Sequence, residues 1–278
     1  MSAVEAFAWC AAEVRRVDYD RYLSALFAPK AARPHLFALY AVNHEIAKTA
    51  ETVREPLAGA IRLQWWREAM DELYAGKPRR HEALLALVQT LQAHDLPRGL
   101  FEALIDAREH DFEETPFANM VALEAYADAT SGNVMRLAAR ILGAGATLDA
   151  QERNAGIAYA LTGLLRALPF RAARRNLVLP LNRLSTAGVS AEDVFAGRNS
   201  AGLNSVLQEI ADAARIRLQA ARMPKPGDAL SAVLPAALCP LYLRTMTRSD
   251  FDPFRNDTDI AQFRRQLAML GAALRGRV

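Results

Sequence analysis

Apolar residues recur along most of this chain at alternating spacings of three and four, the period of an α-helix with one buried face. The clearest run lies between residues 118 and 142, where Met120, Leu123, Ala127, Thr130, Val134, Leu137 and Ile141 form one stripe. Gly143 and Gly145 follow as stop signals. The same pattern predicts helices over residues 31–52, 56–75, 81–94, 98–112, 150–168, 190–195, 200–222, 229–247 and 257–275. Pro34 and Pro56 stand in first turns, where a missing N–H costs nothing. Gly76-Lys77-Pro78 and Pro97 divide segments, and Pro169 is expected to end or kink its helix, leaving an irregular Arg-rich stretch over 170–180. Residues 176–179 alone alternate in the manner of a strand. The best loop, 223–227, is too short to separate domains. The reading is one all-α domain over residues 1–278.

Composition agrees. Alanine supplies 55 of the 278 residues, beside only 14 Gly and 13 Pro. Ala loses no side-chain entropy in a helix, so a β-sandwich or barrel is excluded. Lys and Arg exceed Asp and Glu by only 3, too little for a protein that coats nucleic acid. The cations are 30 Arg and 4 Lys, a bias that high-GC codon usage also produces. Cys10 and Cys239 are far apart, with no disulfide or zinc pattern, which fits a reducing compartment. The first sixteen residues place apolar positions before charges, the reverse of a signal peptide. The longest apolar run, 230–243, is broken by Pro235 and Pro240 and is too short to span a bilayer. A cytoplasmic protein, at most lying on a membrane surface, is expected.

The usual catalytic signatures are missing. Five histidines are scattered at 35, 44, 81, 94 and 110, with no HExxH, GxSxG, P-loop or GxGxxG. Chemistry in a helical domain of this size then points to a central cavity. Metal-dependent prenyl transfer is the leading example. It needs facing carboxylate clusters, because Mg²⁺ takes oxygen ligands while bridging to substrate phosphates.

Several blocks carry a family resemblance: Asp20-Arg21-Tyr22-Leu23-Ser24-Ala25-Leu26-Phe27, Phe37-Ala38-Leu39-Tyr40, Leu63-Gln64-Trp65-Trp66-Arg67-Glu68 and Leu73-Tyr74-Ala75-Gly76-Lys77-Pro78. Further on come Ala125-Tyr126, Ser131-Gly132-Asn133-Val134, Gly156-Ile157-Ala158, Leu161-Thr162-Gly163-Leu164-Leu165-Arg166 and Asn176-Leu177-Val178-Leu179-Pro180. In this order they resemble the squalene/phytoene synthase family of head-to-head isoprenoid condensing enzymes. The resemblance implies the isoprenoid-synthase helical bundle around a central cavity.

The family's aspartate-rich motifs read differently here. The first, D-D-x-x-D, falls on His44-Glu45-Ile46-Ala47-Lys48, and the second, D-x-x-E-D, on Ala167-Leu168-Pro169-Phe170-Arg171. Glu45, Lys48 and Arg171 leave about +1 where the family holds several negative charges, and unscreened cations oppose Mg²⁺ by several kcal/mol. The chain therefore reads as a degenerate member without both metal motifs, and no metal or other cofactor is expected. Leu-Arg-Ala-Leu-Pro-Phe at 165–170, with an Arg-Arg pair ahead of Leu-Pro, is most similar to the subgroup that includes the mitochondrial complex I assembly factor of phytoene-synthase type. What that implies is a non-enzymatic role in respiratory-complex assembly, on the matrix or cytoplasmic side of the inner membrane. The composition suits a bacterial member.

Two alternatives stand beside it. One is a divergent prenyltransferase condensing isoprenoid diphosphates with Mg²⁺. The other is a metal-independent protein binding an isoprenoid diphosphate or anionic lipid, with side-chain cations where metal ions once stood. The candidate cavity residues that the resemblance supplies are Tyr40, His44, Glu45, Lys48, Tyr126, Arg166, Arg171, Arg174 and Arg175. Asp106 and Asp111 are considered as substitute ligands but read as exposed helix carboxylates. Trp65 and Trp66 read as core. The C-terminal helix, with Arg264, Arg265, Arg275 and Arg277 beside Phe263, Leu267, Leu270 and Leu274, is expected to close the bundle with a solvated face rather than to dock on an anionic membrane.

Overall fold

A computed structural model describes residues 2–53, 55–113, 115–145, 149–222 and 227–278, so most of the expected loop at 223–227 lies outside the described residues. The first half holds α1 (Ala3–Val17), α2 (Tyr19–Ala25), α3 (Arg33–Ala47), α4 (Thr49–Thr52), α5 (Pro56–Tyr74), α6 (Glu82–Ala93) and α7 (Arg98–Ala107). The second holds α8 (Met120–Ala127), α9 (Asn133–Ile141), α10 (Asp149–Ala173), α11 (Leu181–Thr186), α12 (Ala191–Phe195), α13 (Ala201–Ala220), α14 (Leu230–Val233), α15 (Cys239–Met246) and α16 (Gln262–Arg275). No strand occurs among the described residues, so 176–179 is not one.

Local chemistry explains many of the ends. Ser2 and Glu5 close a capping box on α1, and Ser190 and Asp193 do the same on α12. Asn119 and Ser200 accept from backbone amides at the starts of α8 and α13. Gly276, left-handed at φ 66°, stops α16.

Four expectations are corrected. The helix expected over 31–52 breaks at Lys48 into α3 and α4. The helix expected over 118–142 is interrupted by a π turn at Asp128–Gly132, where Thr130 Oγ1 donates to the Tyr126 carbonyl at 2.7 Å. Pro169 does not end α10, which runs on to Ala173. A proline deprives only the Leu165 carbonyl of its donor, and buried Leu168 and Ala172 keep the last turn packed. Residues 229–247 divide into α14, a 3₁₀ turn at Leu234–Leu238 and α15, with Pro235 and Pro240 each near the start of a new segment.

Two apolar cores form. Residues from α1, α3, α5, α6, α7 and α9 build one around Leu36, Leu63, Leu84 and Phe101. The other gathers α8, α10, α13 and α15 around Leu161, Ile210 and Tyr242. Burying each such side chain contributes about 2 kcal/mol. The π turn packs on α10, α7 and α9, near the junction of the two cores. The crossing is close: a Cβ on Gly156 would stand 2.4 Å from the Cα of Gly132. Only glycine permits that approach.

Candidate functional site

Short helix α2 buries two consecutive charged residues, Asp20 and Arg21, and the interior is arranged around them. Asp18 caps α2 through the Arg21 amide and also accepts from Arg21 Nη1 at 2.7 Å. Arg21 Nη2 donates to Ser131 of the π turn at 3.3 Å, and its guanidinium lies over the rings of Tyr40 and Tyr159. Burial would lower the Arg21 pKa, but Asp18 beside it raises it instead. Asp20 accepts from Arg265 of α16 at 2.9 Å and from the Tyr242 hydroxyl of α15 at 3.3 Å. Burial nevertheless raises the Asp20 carboxyl above its ordinary value, with Arg265 opposing. Arg166 of α10 stacks its guanidinium 3.8 Å from the Tyr242 ring centroid. It makes no ion pair among the described residues, and its buried Nε has no hydrogen-bond partner. Burial pushes the Tyr40 and Tyr242 hydroxyls up to about 12, so both stay protonated.

A second cluster sits at the end of α3. Lys48 Nζ lies 3.1 Å from Glu45, and His81 Nε2 lies 3.8 Å from it. His81 Nδ1 accepts the Ala83 amide at the start of α6, which leaves Nε2 to face Glu45. His81 first, then Lys48, holds the Glu45 carboxyl down to about 2 against the effect of burial. Ligand atoms of Glu13, His44 and Glu45 lie within 4.8 Å of one another, but Glu13 also accepts from Arg16.

The third cluster forms where α10 ends. Asp111, whose side chain is only 3% exposed, accepts from Arg108 at 3.2 Å, Arg171 at 3.1 Å and the Tyr126 hydroxyl at 2.8 Å. Burial would raise its pKa, yet Arg108 and Arg171 hold it below the ordinary value. Asn176 braces the group, accepting from Arg171 at 2.8 Å and donating to the Asp111 carbonyl at 3.2 Å. The expectation of an exposed Asp111 is therefore corrected, because the 3₁₀ turn after α7 directs it inward. Asp106 is exposed and pairs with Arg67 at 2.8 Å.

The candidate residues thus fall into separate groups. Tyr40 and Arg166 share the interior network, His44, Glu45 and Lys48 share the end of α3, and Tyr126 and Arg171 meet through Asp111. Arg174 and Arg175 are exposed, since α10 stops at Ala173 and the chain turns left-handed at Arg175, φ 56°. Arg175 pairs with Glu192 on α12. Phe170 is exposed and does not fill the interior. Sequence reading overlooked Asp20, Arg21, Tyr159, Tyr242 and the inward role of Arg265. Only the charged pair opening the Asp20–Phe27 block offered a signal, since two adjacent charges in an otherwise apolar helix need a buried partner.

A family model for squalene/phytoene synthases matches residues 14–270. The mouse NADH dehydrogenase (ubiquinone) complex I assembly factor 6 is 30% identical over 250 residues, covering 88% of this chain and 75% of the relative. A phytoene synthase from Thermus thermophilus is 30% identical over 197 residues, covering 70% of this chain and 66% of the relative. Among solved structures, a dehydrosqualene synthase superposes with a TM-score of 0.86 at 14% identity, covering 98% of this chain and 97% of that one. At that identity the likeness speaks for the fold, which is the all-α squalene/phytoene synthase bundle. With the family model spanning nearly its whole length, the chain belongs to the squalene/phytoene synthase family.

Proposed function

We propose that this protein is a non-catalytic member of its family that works by binding, as an assembly factor for a respiratory membrane complex. The similarity to complex I assembly factor 6 over 75% of the mouse relative carries the reading. The geometry of the motif positions supports it. Residues 167–171 supply no carboxylate, Glu45 is engaged by Lys48 and His81, and Asp111 is enclosed by two arginines and a tyrosine. Such a donor set does not suit Mg²⁺, which needs several free carboxylate oxygens and keeps its own waters.

The interior retains one feature of a binding protein. Arg166, stacked on Tyr242 and without a carboxylate ion pair among the described residues, offers donors to an anionic head group. An isoprenoid diphosphate or an anionic lipid has the matching chemistry. Work on a membrane complex does not require crossing the bilayer, and no helix among the described residues is long and apolar enough to cross one.

A divergent prenyltransferase is the second reading, favoured by the Thermus thermophilus phytoene synthase relative. Release of diphosphate from farnesyl and geranylgeranyl diphosphate, with and without Mg²⁺ or Mn²⁺, separates the two. The expected result is release at the level of the protein-free control in every condition. Chelator-sensitive release above that level overturns the non-catalytic reading.

A further inference from the structure

Helix α16 is turned the opposite way from an ordinary bundle helix. Its bulkiest apolar residues, Phe263, Leu267, Leu270 and Leu274, recur every three or four positions and so share one face. That face points outward, with the side chains 61%, 61%, 45% and 81% exposed. The inward face is Arg265, Ala268, Met269 and Ala272. Arg265 fixes the rotation: it reaches Asp20 in the interior at 2.9 Å and lies over the Tyr19 ring. Gln266, donating to the Tyr19 hydroxyl at 3.1 Å, holds the same register. Turning the apolar stripe inward would break these contacts and strand Asp20 without its cation.

From residue 262 to residue 278 the chain carries no Asp or Glu. Arg264 and Arg275 flank the stripe about a quarter-turn to one side, and Arg277 follows Gly276. All three are exposed and make no ion pair among the described residues. The nearest acidic residues in sequence, Asp257 and Asp259, precede the helix. An outward apolar ridge with unpaired arginines on its shoulder is the arrangement of a helix that lies in the plane of an anionic bilayer. The apolar side chains enter the acyl boundary while arginine stems reach up to the head groups. A protein partner would more often bring carboxylates to match the arginines, whereas the row of four aliphatic and aromatic side chains suits hydrocarbon.

We infer that α16 is a membrane-surface helix that seats this protein on anionic lipid through Phe263, Leu267, Leu270 and Leu274, with Arg264, Arg275 and Arg277 contacting phosphate groups. The inference stands on this helix alone and holds whether or not the assembly-factor reading does.

Flotation of the full chain with vesicles of phosphatidylcholine alone, or mixed with phosphatidylglycerol, tests it. The chain is expected to float with the mixed vesicles, less so as salt rises. Leu267→Glu with Leu274→Glu should weaken that partitioning about tenfold or more while leaving the thermal transition in place, because both residues are exposed. Arg264→Gln, Arg275→Gln and Arg277→Gln together should remove the preference for the anionic mixture and its salt dependence. Failure of the parent chain to float at low salt, or flotation of the double glutamate variant at the parent level, overturns the inference. So does a parent chain that ignores vesicles but forms a dimer that the same variant dissociates, since the stripe would then be a self-association surface.

Discussion

Arg166 and Arg171 stand little more than one turn apart on α10 and meet opposite electrical surroundings. Arg171 is tied to Asp111 and Asn176 in a cluster that gives it a carboxylate partner, although Arg108 Nε in the same cluster is buried without a hydrogen bond. Arg166 lies against an aromatic face, with Asp20 nearby but taken by Arg265 and Tyr242. Position in a family motif therefore says little about availability. Arg171, on the aspartate-rich motif, is a structural tie, and Arg166, in the block just before it, is the cation left open. A group saturated by the protein has nothing to offer a ligand; one with unmet donors does.

Removing the carboxylate of the closed cluster is the strongest way to break this contrast. Asp111→Ala leaves Arg108 and Arg171 buried together without an anion, and denaturant unfolding should show a loss of about 3–5 kcal/mol. A loss below about 1 kcal/mol would mean the cluster is wet and exchangeable, and that Arg171 is as available as Arg166.

A third charge on α10 sharpens the comparison. Glu152 is fully buried near the helix start, and neither carboxylate oxygen has a hydrogen-bond partner. Burial first, with Asp149 adding, raises its pKa to about 7, against Arg140 and Arg136. A glutamate can escape by taking a proton where an arginine cannot. Its folded pKa is raised above the unfolded value, so the stability it contributes is complete below about pH 4.5 and is lost as pH rises through about 7. Glu152→Gln should abolish that loss. The stability of the variant relative to the parent is expected to rise by roughly 2–3 kcal/mol between about pH 5 and about pH 8. A flat difference would show that Glu152 stays ionised.

The smallest effect on stability is expected at Arg166. Arg166→Gln should cost about 1 kcal/mol, because an aromatic contact is lost while Asp20 keeps Arg265 and Tyr242 as partners. In metal-free buffer, pyrophosphate and farnesyl diphosphate should raise the melting temperature of the parent and leave Arg166→Gln unmoved. An unchanged shift in the variant would place the anion elsewhere.

Much of the helical frame was legible because it rests on local rules. Leu123, Ala127, Thr130, Val134, Leu137 and Ile141 are all buried, as their spacing requires. Trp66 is core, and Gly76 and Gly143 take the left-handed turns that end α5 and α9. Interruptions were less legible. The π turn at Asp128–Gly132 leaves the apolar stripe intact, so periodicity does not register it. Pro169 misled because its single missing hydrogen bond is a local cost, whereas the packing of Leu168 and Ala172 is a tertiary gain.

The candidate site was legible only in fragments. Tyr40, Tyr126, Arg166 and Arg171 came from motif positions, but their partners come from distant elements. Arg265 reaches across 245 residues to Asp20, and Tyr242 across 222. Nothing near Asp111 in sequence announces that Arg171, 60 residues later, will neutralise it.

By itself, the sequence determined the helical class, the family and the limits of α5, α6, α12 and α13, because periodicity, caps and proline positions act within a few residues. Tertiary structure alone decided which charges are closed and which are open, and which face of α16 turns outward. Those outcomes depend on distance and burial between elements far apart in the chain, and electrostatic energy follows separation in space rather than in sequence.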